Sequence, residues 1–284
     1  LIAKYALHYS ENNILEESLG IKINFPFFSF GNINSRHFFG IDELLIHDFY
    51  IRNKGKYKNV ADIGCNCGLH SKILCELGYE VDSYEPDQKH IEMSMKLLSE
   101  YKNNNFFQKA VSNYTGKATF TRIINNSTGS FINDKKKSYG PTETYEVDVI
   151  NAYELSFKYD LIKMDIEGSE ADVFSAFDPK VFKNTDFIAE ISTEETRVIL
   201  WKLFNDLKVK VYAQKIGWEQ VHDLEDFVMG TKQFESEDRG EQTGMTTSVR
   251  IEEPSALSLL DEHRLKDQSS DQHSIDGVQE EVQQ

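Results

Sequence analysis

No Trp, Tyr or Phe follows Phe234, no apolar run approaches the length of a membrane span, and only three cysteines occur in 284 residues. Each absence excludes something. A spanning helix needs about 20 consecutive apolar residues, so no membrane span is expected. Cys65, Cys67 and Cys75 make no disulfide framework. Cys65-x-Cys67 lacks the spaced second ligand pair of a zinc site, so the expectation is small thiols in a tight loop, no metal, and a reducing, cytoplasmic compartment. Basic residues are also short: 31 Lys and Arg stand against 47 Asp and Glu, a net charge of -16. Neutralising phosphates needs clustered cations, and Lys135-Lys136-Lys137 is the one basic run. It reads as a solvated loop, and no nucleic-acid partner is expected. The first residues show no charged-then-apolar signal pattern.

The missing aromatics and the charge excess coincide. From Phe234 onward, 13 Asp and Glu face 4 Lys and Arg, so -9 of the total lies there and the first 233 residues carry -7. Such a segment buries too little apolar surface to offset the entropy of ordering. The expected organisation is an N-terminal segment over residues 1–53 packed on a main domain over 54–233, followed by a disordered acidic tail over 234–284.

From Lys58 the chain alternates short apolar runs with helical periods, the pattern of a parallel α/β sheet with helices on both faces. Strands are expected at Tyr57 to Ile63, Tyr79 to Tyr84, Phe106 to Val111, Tyr159 to Met164 and Asp186 to Ile191. Leu69, Ile73, Leu74 and Leu77 share one helical face. Asp87 can cap a helix carrying Ile91, Met95, Leu98 and Tyr101. Ser192-Thr193-Glu194-Glu195 reads as a capping box. Between strands at Ala118 to Ile123 and Tyr145 to Ile150 runs a polar stretch, Asn125 to Pro141, expected as a long functional loop. Val209 to Ala213 and Asp226 to Met229 would close the sheet. Upstream, Ile21 to Phe30 suggests an extended segment and Ile41 to Ile51 a helix with Leu44, Leu45 and Phe49 inward.

The strongest local signal is Val60-Ala61-Asp62-Ile63-Gly64-Cys65-Asn66-Cys67-Gly68: a strand, a Gly-containing turn, then a helix. A helix N-terminus at a strand end gathers backbone N–H groups and positive dipole, and glycines let a ligand approach the main chain. The next strand ends at Tyr84-Glu85-Pro86-Asp87, where Glu85 can accept hydrogen bonds from ribose hydroxyls; an exposed turn residue is the other reading. A dinucleotide fold would show Gly-x-Gly-x-x-Gly, and these glycines are spaced otherwise. Asp62 would repel a pyrophosphate but suits an ammonium, so S-adenosylmethionine is favoured over a nicotinamide cofactor. Further on, Lys163-Met164-Asp165-Ile166-Glu167-Gly168-Ser169-Glu170 places charged groups at the end of a buried strand, with Asp165 where cofactor and acceptor would meet. Lys163 pairing with Asp165 or Glu167, and Glu170 facing solvent, are structural alternatives. Glu190, on the neighbouring apolar strand, needs a partner or a purpose; both readings stand.

These elements, with Ala110-Val111-Ser112 between them, resemble the FkbM family of methyltransferases over roughly Phe39 to Gly230. Lys-x-Asp-x-Glu-Gly-x-Glu is the most specific part. The resemblance implies a Rossmann-like seven-stranded methyltransferase sheet and O-methylation of hydroxyls on a sugar, glycan or small metabolite, with S-adenosylmethionine as cofactor. It implies that Asp62, Gly64, Asn66 and Gly68, with Cys65 in the same turn, hold the methionine end. Glu85 with Pro86 would hold the ribose, Ala110 and Val111 would lie near adenine, and Asp165 would face the reacting centre. Cys65 and Cys67 depart from the usual Ala and aliphatic residue, and Ile191-Ser192 lacks the His often found after the Glu at position 190. A hydroxyl acceptor must lose its proton, for which Asp165, Glu167 and Glu190 are candidates. A non-catalytic scaffold and a nicotinamide-dependent oxidoreductase are the rivals. Binding of S-adenosylhomocysteine separates them.

Overall fold

The computed structural model describes residues 5–9, 13–18, 21–132, 140–191, 193–214, 218–227 and 247–252. Three strands come first, β1 (Tyr5–Tyr9), β2 (Asn13–Ser18) and β3 (Ile21–Pro26), followed by helix α1 (Ile41–Arg52). Then come β4 (Asn59–Ile63), α2 (Leu69–Glu76), β5 (Glu80–Tyr84), α3 (Gln88–Leu97) and β6 (Asn104–Phe107). Four strands interrupt the alternation: β7 (Ala110–Ser112), β8 (Gly116–Ile123), β9 (Phe131–Ile132) and β10 (Thr142–Asn151). It resumes with β11 (Leu161–Met164), α4 (Glu170–Ala176), β12 (Asp186–Ile191) and α5 (Glu194–Leu207), and ends with β13 (Lys210–Ala213), β14 (Glu219–Gln220) and β15 (Thr247–Glu252).

The main sheet runs β6-β5-β4-β11-β12-β15-β13-β14. Its first five strands are parallel, and β15 is antiparallel to both its neighbours. The chain winds outward from β4 in one direction and from β11 in the other, so the crevice above their carboxyl ends is the switch point where open α/β sheets bind ligands. Side chains alternate between two cores, as period-two geometry requires. Val60, Val81, Leu161 and Ile188 join α1, α2 and β3 residues Ile23 and Phe25 on one face. Ala61, Ile63, Ile162, Met164, Phe187 and Ala189 meet α4 and α5 on the other. A second sheet, β7-β10-β8-β9, has a small core of its own around Phe120, Val147 and Val149.

Several expectations are corrected. The sheet has eight strands among the described residues rather than seven, because Glu219–Gln220 adds a short antiparallel edge to β13. Thr247–Glu252 lies within the expected disordered tail, yet forms β15 and pairs with both β12 and β13. Residues 253–284 lie outside the described residues. Of the expected closing strand Asp226 to Met229, the first two residues form a turn and the rest fall outside the described set. The single strand from Phe106 to Val111 is two: β6 pairs with β5, while β7 leaves for the second sheet. The cap of α5 is one residue later than expected; Thr193 Oγ1 accepts the backbone N–H of Thr196. Helix α1 is buried at Ile46, His47, Asp48, Phe49 and Tyr50, covering most of its circumference, whereas Leu44 and Leu45 are only half-buried. Met95 is exposed.

Candidate active site

The turn after β4 is shaped by close approach. Gly64 has φ +77°, and a Cβ there would collide with the backbone oxygen of Asp165. Gly68, at φ +88°, precedes α2, where a Cβ would strike Ser94 Oγ of α3. Asn66 adopts the left-handed region at φ 52°, which Asn tolerates through local hydrogen bonding; its side-chain oxygen accepts the Cys67 N–H at 2.8 Å.

Asp62 lies deeper than the sequence reading implied. It is fully buried, with Oδ2 accepting from Ser71 Oγ at 2.6 Å and Oδ1 3.4 Å from Lys163 Nζ. Lys163 is buried as well, donates to the Gly64 carbonyl at 3.3 Å and stands 3.9 Å from Asp165 Oδ2. Burial opposes its charge, but Asp62, Asp165, Glu43 and Glu190 outweigh that and hold the ammonium protonated. The pair thus ties β4, β11 and the turn together from beneath.

Glu85 is buried at the end of β5. Its Oε2 accepts the Asn66 N–H at 2.9 Å and its Oε1 the Asp87 N–H at 2.9 Å, so one carboxylate braces both the turn and the start of α3. Burial pushes its pKa up to about 8, against the two backbone hydrogen bonds and with the help of the nearby Asp87 charge. Asp87 caps α3 as expected, accepting from Lys89 and His90 N–H, and pairs with Arg122 of β8 at 2.8 Å.

A cleft of about 600 Å³, counted out to its open mouth, lies over these strand ends. Of the residues singled out in the sequence, Gly64, Asn66, Glu85, Pro86, Ala110, Val111, Asp165 and Glu167 line it. Asp62, Cys65, Gly68 and Glu190 do not. Cys65 and Cys67 are buried thiols whose pKa values burial pushes up. The expected loop supplies the far wall with Ser127, Thr128, Ser130, Phe131 and Ile132.

Three contributors escaped the sequence reading. His90 lines the cleft, and its Nε2 lies 2.8 Å from Ser127 Oγ. Burial lowers its pKa to about 4, with Arg122 and Lys89 adding to this and Asp87 opposing it, so the imidazole is neutral at pH 7. Its place three residues after Asp87, in the first turn of a capped helix, was the available signal. Ser169 is buried at the cleft wall with an Oγ that has no hydrogen-bond partner among the described residues. Glu170, read as a possible solvent-facing residue, is fully buried and accepts from the N–H groups of Ile166 and Gly168. That clamp brackets Glu167, held at φ 56° against the cleft.

A doubly wound sheet with a cleft at its switch point, a buried acidic residue ending the second parallel strand and carboxylates ending the fourth define an α/β enzyme built around a nucleoside-type cofactor. The sequence profile of the family described as "Methyltransferase FkbM domain" matches residues 53–240, and the chain belongs to that family. It is an S-adenosylmethionine-dependent methyltransferase. No curated protein shows significant sequence similarity to it. Among solved structures it is similar to an rRNA methylase from Streptococcus thermophilus (10% identity, 76% of this chain and 98% of that one, TM-score 0.42). Magnesium protoporphyrin IX methyltransferase from Synechocystis PCC 6803, with bound S-adenosylmethionine, aligns at 10% identity over 75% of this chain and 79% of that one (TM-score 0.41). The StiE O-methyltransferase domain aligns at 13% over 76% and 75% (TM-score 0.40). Likenesses this distant do not bear on the acceptor.

Proposed function

We propose that this methyltransferase acts on a hydroxyl oxygen of a sugar, glycan or small metabolite, with Glu167 as the group that accepts the hydroxyl proton. The observation that carries this reading is the acidic end of β11, where Asp165 and Glu167 both face the cleft and Glu170 fixes the backbone between them. A non-glycine residue in the left-handed region is held there at a cost of about 1–3 kcal/mol and persists where its surroundings enforce it. Asp165 stands 3.9 Å from the Lys163 ammonium, and Glu167, held in that conformation against the cleft, is the carboxylate we assign to proton transfer. Glu190 is not among the residues lining the cleft, so we do not give it that role.

The cleft suits the cofactor on its own terms. Glu85 accepts one backbone N–H on each oxygen and, in its ionised form, keeps a further lone pair on each for a ribose diol. The Ser169 hydroxyl, which has no hydrogen-bond partner among the described residues, offers a further polar contact. Tyr84, stacked on Phe107 with ring centroids 4.7 Å apart, gives the wall an apolar, water-excluding surface next to Ala110 and Val111. Asp165, which lines the cleft, is the carboxylate we assign to the cofactor's ammonium, while Asp62 acts from below through Ser71 and Lys163. When bound, S-adenosylmethionine supplies an electrophilic methyl group. The protein's part is alignment and removal of the acceptor proton.

The test is transfer of labelled methyl to a panel of glycans, hydroxylated metabolites and RNA. Label is expected on a hydroxyl oxygen. Glu167→Gln should lower kcat by about 10²- to 10⁴-fold while S-adenosylhomocysteine affinity stays near its original value. Label found on nitrogen or RNA, or a Glu167→Gln enzyme with full kcat, would sink this reading.

A further inference from the structure

Away from the cleft wall, α1 and α2 bring together three side chains that methyl transfer does not use. Glu43 and His47 are one helical turn apart on α1, a spacing that puts both on one face. His70 lies in the first turn of α2. The donor atoms of the three all fall within 4.8 Å of one another, and His70 Nε2 is already 3.1 Å from Glu43 Oε2. A tetrahedral zinc site with metal–ligand distances of about 2.0–2.1 Å spaces its donors about 3.3 Å apart, so small rotations of the side chains suffice.

The surroundings fit a metal better than a bare ion pair. Tyr50, one turn further along α1, has its hydroxyl 3.2 Å from Nδ1 of His70. That hydroxyl oxygen can accept Nδ1–H, which leaves Nε2 as the ligand atom. A partner on the second ring nitrogen is how metal-bound histidines are oriented. The imidazole of His47 is fully buried and meets that of His70 edge to face, with centroids 5.5 Å apart. The Lys163 ammonium, which would repel a cation, is balanced by Asp62 and Asp165. Side-chain exposures of 31% for Glu43 and 13% for His70 leave a route for an ion from solvent and room for a water as fourth ligand.

We propose that Glu43, His47 and His70 form a binding site for a divalent first-row transition metal of the zinc type, with two imidazoles, one carboxylate and one open position. Such an ion would fasten α1 to the start of α2, directly behind the cofactor turn. Two imidazoles and a carboxylate suit zinc, iron, cobalt or nickel better than magnesium or calcium.

The experiment uses the full chain, stripped with a chelator and free of S-adenosylmethionine, so its outcome does not depend on the acceptor or the base. Zinc chloride alone is titrated by calorimetry, and cobalt by its visible absorption. One equivalent per chain is expected, with the intense cobalt bands of a four-coordinate site. Glu43→Gln and His70→Gln should each weaken binding by more than about tenfold, and Tyr50→Phe by about tenfold or more. Should the ligand variants fail to fold by circular dichroism, Tyr50→Phe, which loses only a hydroxyl, decides. A folded protein that takes up neither ion overturns the proposal. So does one equivalent bound undiminished in the folded variants, since the ion would then sit elsewhere.

Discussion

Asp62 shows how far a residue's chemistry depends on depth. In the sequence it is an acid at a strand end, fit to meet an ammonium; in the structure the ammonium it meets is Lys163, and both are buried. Removing one member of a buried pair strands the other, at a cost of about 3–5 kcal/mol, whereas replacing both with apolar groups can be neutral. Asp62→Asn should therefore lower unfolding stability by about 3 kcal/mol, and Asp62→Leu combined with Lys163→Met should recover much of it. Urea unfolding reads both. An Asp62→Asn protein as stable as the parent, yet unable to bind cofactor, would restore the direct-contact role. The position of Glu85 just after the second strand was legible, because the chain path alone sets it. The depth of Asp62 was not legible, because sequence spacing reveals the strand end but not which face of the sheet the side chain takes. The cluster of Glu43, His47 and His70 was illegible for a related reason: its members sit on different helices, and only the packing of α1 against α2 brings them together.

Among the elements, the parallel strands and the helices between them were legible because each carries its own period. The second sheet was half legible. Its strands β8 and β10 alternate clearly, but the departure of β7 from the main sheet depends on a tertiary pairing that local sequence does not encode. β15 was lost to composition: Val249 and Ile251 alternate with Ser248, Arg250 and Glu252, a strand signal submerged in an acidic, aromatic-free stretch. Its ladder is central, with Val249 opposite Ala189 on one side and Ala213 on the other. Proline cannot donate to a ladder and is excluded from strand centres. Val249→Pro should lower the thermal midpoint clearly, measured against the same substitution at Thr115 in the exposed turn before β8. Equal midpoints for the two variants would remove β15 from the sheet.

At the scale of the whole molecule, buried carboxyls make stability a function of pH. Burial raises the pKa of Glu85 to about 8 and that of Glu170 to about 7, each against its backbone hydrogen bonds. Unfolded glutamates titrate near 4.3. Above that value the native state holds protons the unfolded chain has lost, so stability falls as pH rises, until the native groups titrate in turn. His90, lowered by burial to about 4, acts oppositely, and its contribution grows between pH 4 and 6.5. From pH 6.5 to 8 the carboxyls dominate, and the buried thiols, also raised, add in the same sense near pH 8. Each proton held only by the native state costs about 1.4 kcal/mol for every tenfold fall in proton activity, so a loss of about 2 kcal/mol is expected. Denaturant titrations at pH 6.5 and 8 should show it, and Glu85→Gln should flatten most of it; stability that climbs over this window would contradict the buried state of both groups. The late position of β15 bears on how the molecule is made. Synthesis runs from the N-terminus, so a ribosome must deliver residue 252 before β12 and β13 gain the neighbour that joins them. Until then the newborn chain carries two unpaired strand edges facing a gap, the place where mispairing or capture by a chaperone would concentrate.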